Sequence, residues 1–290
     1  MTTEMKPLTP DVYESSVENA WCRGCGNFGI LTAVKKALVE LNLPPQRVCF
    51  VSGIGQAPKL PHYTKGNLFN GLHGRTLPAA AGIKIANHEL TVIGIDGDGG
   101  AYGEGVQHLL AAARRNIDMT YLVHNNQVYG LTKGQASPTS DAGTITKTTP
   151  FGAIVPLNPL MLALASDVSF LARGFCGDPG YLSGLIKAAV THKGFALIDI
   201  LQNCPSFNHV NTFAWYKQRV YKVETEGYNP TDKAAALVKA QEWGDKIPIG
   251  IIFKQDRPLY EDSLPQLKTG PLVKQPIEPM GAEGLMGEFV

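Results

Sequence analysis

Residues 92–105 read VIGIDGDGGAYGEG. A run of apolar residues ends in glycines that carry two aspartates, Asp96 and Asp98, and the helical pattern VQHLLAAARR (106–115) follows at once. Strand, glycine-rich turn and helix in that order predict an α/β unit. Ligands of such folds bind beyond the carboxyl ends of the strands. Glycine lets the backbone approach a phosphate closely, so Gly97, Gly99 and Gly100 are candidate phosphate contacts. The dinucleotide fingerprint G-x-G-x-x-G is not met, because Tyr102 occupies the third glycine position. The next acid at the expected distance, Asp118, precedes a strand instead of ending one.

The same alternation extends outward. Apolar residues Ile30, Leu31, Val34, Leu38 and Leu41 have helical spacing, and 77–87 and 181–192 are further helix candidates. Strands are predicted over 48–52, 90–96, 119–126, 168–173 and 195–201. Uniformly apolar strands alternating with helices predict a parallel sheet covered by helices on both faces. After about residue 210 the pattern changes to one helix candidate (230–243), one strand candidate (247–254) and a Pro-rich tail from Arg257. The chain therefore divides into a main α/β domain, 1–210, and a C-terminal extension, 211–290, expected to pack on the body or on a partner.

The totals narrow the functional class. The chain has 290 residues and a formal net charge of +1, which gives no electrostatic case for nucleic acid or a membrane surface. No apolar run approaches the ~20 residues needed to cross a bilayer, and the first residues lack a basic-then-apolar export pattern. Five cysteines, an odd number in a long chain, do not suggest a secreted disulfide framework, so a cytoplasmic protein with reduced thiols is expected.

About thirty residues after the glycine turn, the next strand ends in His124-Asn125-Asn126-Gln127-Val128-Tyr129-Gly130. Adjacent strand ends bring Asp98 and Asn126 together. A carboxylate, an amide oxygen and a nearby backbone carbonyl are hard ligands of the kind Mg2+ takes, with phosphate oxygens and water completing the octahedron. GDG followed about thirty residues later by NN resembles the thiamine-diphosphate motif. That resemblance implies that Asp98, Asn126 and the Val128 carbonyl hold Mg2+, with Asp96 and Asn125 behind them.

WCRGCGNFG (21–29), VSGIGQAPK (51–59), HGRTLPAAAGIKIAN (73–87), the stretch 112–140 and IDILQNCPSFN (198–208) are similar to the β subunit of 2-oxoacid:ferredoxin oxidoreductases. The resemblance implies a thiamine-diphosphate fold and oxidative decarboxylation of a 2-oxoacid with coenzyme A to acyl-CoA and CO2. 2-Oxoglutarate is favoured, pyruvate is the main alternative, and the reaction can run in the carboxylating direction. Electrons would pass through an iron–sulfur cluster to ferredoxin. The pyrimidine end of the cofactor would sit on an α subunit, in an αβ or (αβ)2 assembly, and the chain alone would be inactive. Gly55, Gly130, Leu131 and Thr132 are implied at the cofactor, with His73 and Arg75 lining its site. Lys59 is implied at a substrate carboxylate, and Lys133 at substrate or coenzyme A. Thr132 and Thr139 also suit turn capping.

A 4Fe–4S cluster takes four thiolates. Cys22, Cys25 and Cys204 match the family ligands, but Gln56 stands where the third cysteine belongs. Cys49 as a substitute lies seven residues upstream, ~20 Å along a strand. The other readings are three cysteines with a weaker ligand, or a cluster-free thiamine decarboxylase or synthase subunit. Cys176 is expected as a buried structural thiol. A C-x-x-C pair with one more cysteine also suits zinc, and a non-catalytic metal-bound interaction subunit is the remaining alternative.

Overall fold

The computed structural model describes residues 7–276 and 286–287. The strands are β1 (Val48–Ser52), β2 (Asn67–Asn70), β3 (Thr91–Gly97), β4 (Met119–Asn125), β5 (Val128–Tyr129), β6 (Gln135–Ala136), β7 (Phe170–Phe175), β8 (Phe195–Leu201), β9 (Val220–Lys222) and β10 (Ile247–Lys254). The helices are α1 (Asn27–Glu40), α2 (Thr76–Ala86), α3 (Val106–Arg115), α4 (Pro159–Ala165), α5 (Pro179–Thr191), α6 (Phe213–Arg219) and α7 (Lys233–Gln241).

Eight strands form one sheet in the order β2-β1-β3-β4-β8-β7-β10-β9, and β5 with β6 makes a separate small hairpin. All neighbours are parallel except β10, which runs antiparallel to β7. The sheet is thus mixed at one edge, where an all-parallel one was expected. The exception comes from the segment after residue 210, which contributes β9 and β10 to this same sheet. The last part of the Pro-rich tail lies outside the described residues.

The central strands are buried along nearly their whole length because both faces are covered. All seven residues of β4 and of β8 are buried. Alternate side chains enter two cores. One holds Phe50, Ile93, Leu122 and Ile198 under α1 and α5, the other Val51, Val92, Tyr121 and Leu197 under α2, α3 and α4. Helix α1 buries Ile30, Ala33, Val34, Ala37 and Leu38, a 3.6-residue stripe. Asp178 and Asn158 cap α5 and α4 with their side chains, each followed by proline in the first turn. No helix among the described residues is long and apolar enough to cross a membrane.

The chain leaves β4, passes to β7, and then returns to insert β8 between them. Nearer the site, the crossover after β1 runs outward to β2 while the one after β3 runs the other way to β4. Such a divergence between neighbouring strands of an open α/β sheet opens a crevice at their carboxyl ends. The loops after β1, β2, β3, β4, β7 and β8 emerge at that end, because these strands are parallel.

Candidate functional site

A cavity of about 280 Å3 opens there. The loop after β3 contributes Gly97, Asp98, Gly99 and Gly100 to its wall, and the loop after β4 contributes Asn126, Val128, Gly130, Leu131 and Thr132. Gly55 and Gln56 line it from the loop after β1, with His73 beside them, its Nδ1 3.0 Å from Ile54 O. Eleven of the residues expected at a cofactor thus share one wall. Lys59, Arg75 and Lys133 do not. Lys59 sits half-buried in the short helix Ala57–Tyr63. The Arg75 Nη1 turns away to His108 Nε2. Lys133 is exposed, with a left-handed φ of 83° in the hairpin loop. Among the described residues, neither Lys59 nor Lys133 forms an ion pair.

Asp98 is 1% exposed. The Ser137 and Thr139 hydroxyls both reach its Oδ2, at 2.5 and 2.7 Å, and no side chain among the described residues donates to Oδ1. Burial raises its pKa to about 6, against the lowering effect of those two hydroxyls. One of its oxygens is left uncommitted by side chains. Asp96 serves differently. Its Oδ2 accepts from Thr76 and Tyr121, its Oδ1 is buried without a partner, and burial raises its pKa to about 7. It lies beneath the glycines: a Cβ on Gly100 would stand 2.3 Å from Asp96 Oδ1. The turn Gly99–Glu104 is wound as a π-helix, a geometry frequent at functional sites.

Asn126 accepts the Val128 N–H on its side-chain oxygen at 3.1 Å, an Asx turn that reverses the chain. Gln127 between them has φ 58°, and its amide is fixed by Thr139 O, Asp141 Oδ1 and the Tyr216 hydroxyl. Asp98, the Asn126 amide and the Val128 carbonyl thus belong to residues lining the same small space. Their donor atoms are all hard oxygens, which is the chemistry Mg2+ requires, so the residues fit it. Sequence reasoning passed over Ser137, Glu104 and Tyr129. Glu104 accepts from the Tyr129 hydroxyl at 3.2 Å and stands 3.0 Å from His73 Nε2, tying two sides of the cavity mouth together. Only three-dimensional proximity could reveal that link.

The C-x-x-C turn is stitched to the loop after β8. Gly26 N–H donates to Asn203 O, and the Asn203 side chain donates to Gly24 O at 2.9 Å. Cys22 accepts from Ser206 Oγ, and Cys25 from Gln202 Nε2 at 3.4 Å. Cys22, Cys25 and Cys204 are drawn into one region. Burial pushes the Cys25 thiol up to about 11, and Cys204 and Cys22 add to the effect. Among the described residues, however, no three His, Cys, Asp or Glu side chains come close enough together to share one metal ion. The Gln56 carbonyl accepts the Trp21 indole N–H at 2.8 Å, while its Oε1 is buried and unpartnered.

Cys49 is ruled out as the substitute ligand. It projects into the core that holds Val51 and Leu77, on the opposite face of the sheet from Trp21, Cys25 and Cys176. Alternation along a strand makes that unavoidable for a residue next to Phe50. Cys176 lies under the start of α1, buried and pushed up to about 12. An inert structural thiol is what such an environment produces.

The fold and the paired loops after β3 and β4 define a thiamine-diphosphate enzyme domain. Residues 52–200 match the family "Thiamine pyrophosphate enzyme, C-terminal TPP binding domain". Residues 204–269 match the family of C-terminal regions of the pyruvate ferredoxin oxidoreductase beta chain. The chain is 47% identical over 251 residues to the 2-oxoacid:ferredoxin oxidoreductase subunit beta of Saccharolobus solfataricus, covering 82% of each. It is 31% identical over 264 residues to the 2-oxoglutarate synthase subunit KorB of Methanocaldococcus jannaschii, covering 91% of this chain and 97% of that one. Among solved structures it resembles the 2-oxoglutarate:ferredoxin oxidoreductase from Magnetococcus marinus, with 2-oxoglutarate, coenzyme A and succinyl-CoA bound. The TM-score is 0.88 at 36% identity, over 92% of this chain and 91% of that one. The chain belongs to the β-subunit family of 2-oxoacid:ferredoxin oxidoreductases.

Proposed function

We propose that this chain is the diphosphate-binding subunit of a cytoplasmic enzyme that oxidatively decarboxylates a 2-oxoacid, 2-oxoglutarate by preference. Coenzyme A takes the acyl group and ferredoxin the electrons. What supports the reading is one juxtaposition: Asp98, with a side-chain oxygen uncommitted, shares a cavity wall with Asn126 and Val128. Asp98, the Asn126 amide oxygen and the Val128 carbonyl hold Mg2+. Gly97, Gly99 and Gly100 admit the diphosphate, and Gly55, Gly130, Leu131, Thr132 and His73 line the rest. When bound, thiamine diphosphate supplies the electron sink that lets CO2 leave the keto carbon.

The site is completed by an α subunit, which carries the pyrimidine end of the cofactor, as the β-subunit relatives suggest. Lys59 and Lys133 lie outside the wall; Lys59 meets a substrate carboxylate and Lys133 substrate or coenzyme A. Cys22, Cys25 and Cys204 hold a 4Fe–4S cluster, with Gln56 in place of the fourth thiolate. Reconstitution with the α subunit, thiamine diphosphate, Mg2+, coenzyme A and ferredoxin tests the whole. Acyl-CoA and reduced ferredoxin are expected from 2-oxoglutarate, and full turnover by the isolated chain would overturn the subunit assignment.

Gln56 and the unconverged cysteines favour one second reading, a thiamine enzyme without a cluster. Absence of iron and sulfide after anaerobic purification of the complex would establish it in place of the first.

A further inference from the structure

We propose that Asp199 is a positioning residue that fixes Asp98 and Asn126 relative to each other; this rests on the reading that those two residues hold a divalent cation. The ladder between β3 and β4 ends at the pair Gly97↔His124. Asp98 and Asn126 lie beyond it, so no backbone bond between these strands sets their separation. Side chains must.

Asp199, fully buried on β8, supplies the link. Its Oδ1 accepts the Tyr102 hydroxyl and the Asn125 amide N–H, each at 3.0 Å. Tyr102 is on the turn that begins at Asp98, and Asn125 immediately precedes Asn126. One carboxylate oxygen therefore grips both loops. The other oxygen, Oδ2, accepts Arg173 Nε at 3.1 Å, from the residue paired with Asp199 in the neighbouring strand. That pairing neutralises the charge and orients the carboxylate.

A second bridge closes the arrangement into a ring. Thr139 Oγ1 stands 2.9 Å from Asn125 Oδ1 and 2.7 Å from Asp98 Oδ2. Asp98, Thr139, Asn125, Asp199 and Tyr102 are each no more than 4% exposed. Thr139 has one hydroxyl hydrogen for its two acceptors and bridges them by sharing it, whereas the two bonds to Asp199 have a donor each. In such a buried place a lost partner leaves a group unsatisfied. A hydroxyl, an amide and a carboxylate at these places are more specific than packing needs, since apolar groups would fill the same volume.

The test uses the full chain in complex with its α subunit, with Mn2+ as the probe and thiamine diphosphate present. The dissociation constant is read from the electron-spin signal of free Mn2+. Outer-shell partners of metal ligands are each worth roughly 10–100-fold in affinity, and that loss is expected for Asp199→Asn. Tyr102→Phe, which removes one hydroxyl and nothing else, is expected to weaken Mn2+ by roughly fivefold. It carries the test if Asp199→Asn does not fold. Phe170→Leu, in the same sheet but outside the ring, lowers the melting temperature and leaves Mn2+ affinity unchanged. Wild-type affinity in Tyr102→Phe, or an equal loss in Phe170→Leu, would overturn the proposal. If Asp98→Asn instead binds Mn2+ as the wild type does, it is the cation-site reading that fails.

Discussion

Asp96 and Asp98 are two residues apart and both buried, yet only Asp98 lines the cavity. Asp96 keeps an unpartnered oxygen under Gly100, and its pKa stands near 7 against 3.8 in an unfolded chain. The folded state thus binds the proton more tightly. Stability from this group is present below pH 3.8 and is lost as pH rises to about 7, with an upper limit of about 4 kcal/mol. Asp96→Asn keeps an acceptor for Thr76 and Tyr121 without the charge. Its melting temperature, in chelator, should gain on the wild type from pH 5 to pH 7 and then level off. A difference constant with pH would refute this account.

Two glycines separate folding from binding. A Cβ on Gly100 meets Asp96 Oδ1 at 2.3 Å, whereas one on Gly97 meets only His124 O, at 4.0 Å. Gly100→Ala should cost about 3 kcal/mol or more in chemical denaturation. Gly97→Ala should fold within about 0.5 kcal/mol of the wild type yet bind thiamine diphosphate more weakly by calorimetry. Equal behaviour of the two variants would contradict the assignment of Gly97 to the diphosphate.

Thiol reactivity should follow burial. Cys22 is exposed, while Cys25, near 11, is only about one part in a thousand thiolate at pH 8. Iodoacetamide should label Cys22 first in the iron-free chain, with Cys25 and Cys176 far behind by peptide mass spectrometry. Iron loading should then protect Cys22. Labelling of Cys22 unaffected by iron would remove it from the ligand set.

Gln56→Cys should restore a fourth thiolate beside the C-x-x-C segment, since the Trp21 indole already holds the two loops together. Its visible absorbance should persist in air longer than that of the wild type, with iron and sulfide per chain equal or higher. A lower iron content would show that the loop cannot present a thiolate there.

Lys59 lies outside the cavity wall, in the short helix that follows Gln56. Lys59→Ala in the complex should raise KM for the 2-oxoacid at least about tenfold, the worth of one charge-assisted hydrogen bond, with thiamine affinity unchanged. An unchanged KM would return Lys59 to the surface.

What the sequence disclosed follows from periodicity and from local motifs. β1, β8 and α3 fall where their apolar patterns put them, because a strand buried on both faces has little room for polar residues. The GDG and NN halves were legible because each is contiguous. β2 was not foreseen: its four residues, NLFN, are too few to show a period, and both apolar ones, Leu68 and Phe69, are exposed at the sheet edge. Nor was the antiparallel β10, whose direction depends on how α7 returns the chain and not on its own residues. Asp199 was quoted only as part of a similar stretch, since its three partners lie 26, 74 and 97 residues away.

Asn125 and Leu201 are register partners in the central ladder. The two loops that follow, one carrying Asn126 and the other Cys204, therefore start a single strand spacing apart, ~4.8 Å. Either loop can be lengthened or re-aimed, but their origins cannot separate without breaking the middle of the sheet. The separation between the origins of the Asn126 loop and the Cys204 loop is in this sense set by the hydrogen-bond spacing of the backbone, a dimension no side-chain substitution can change.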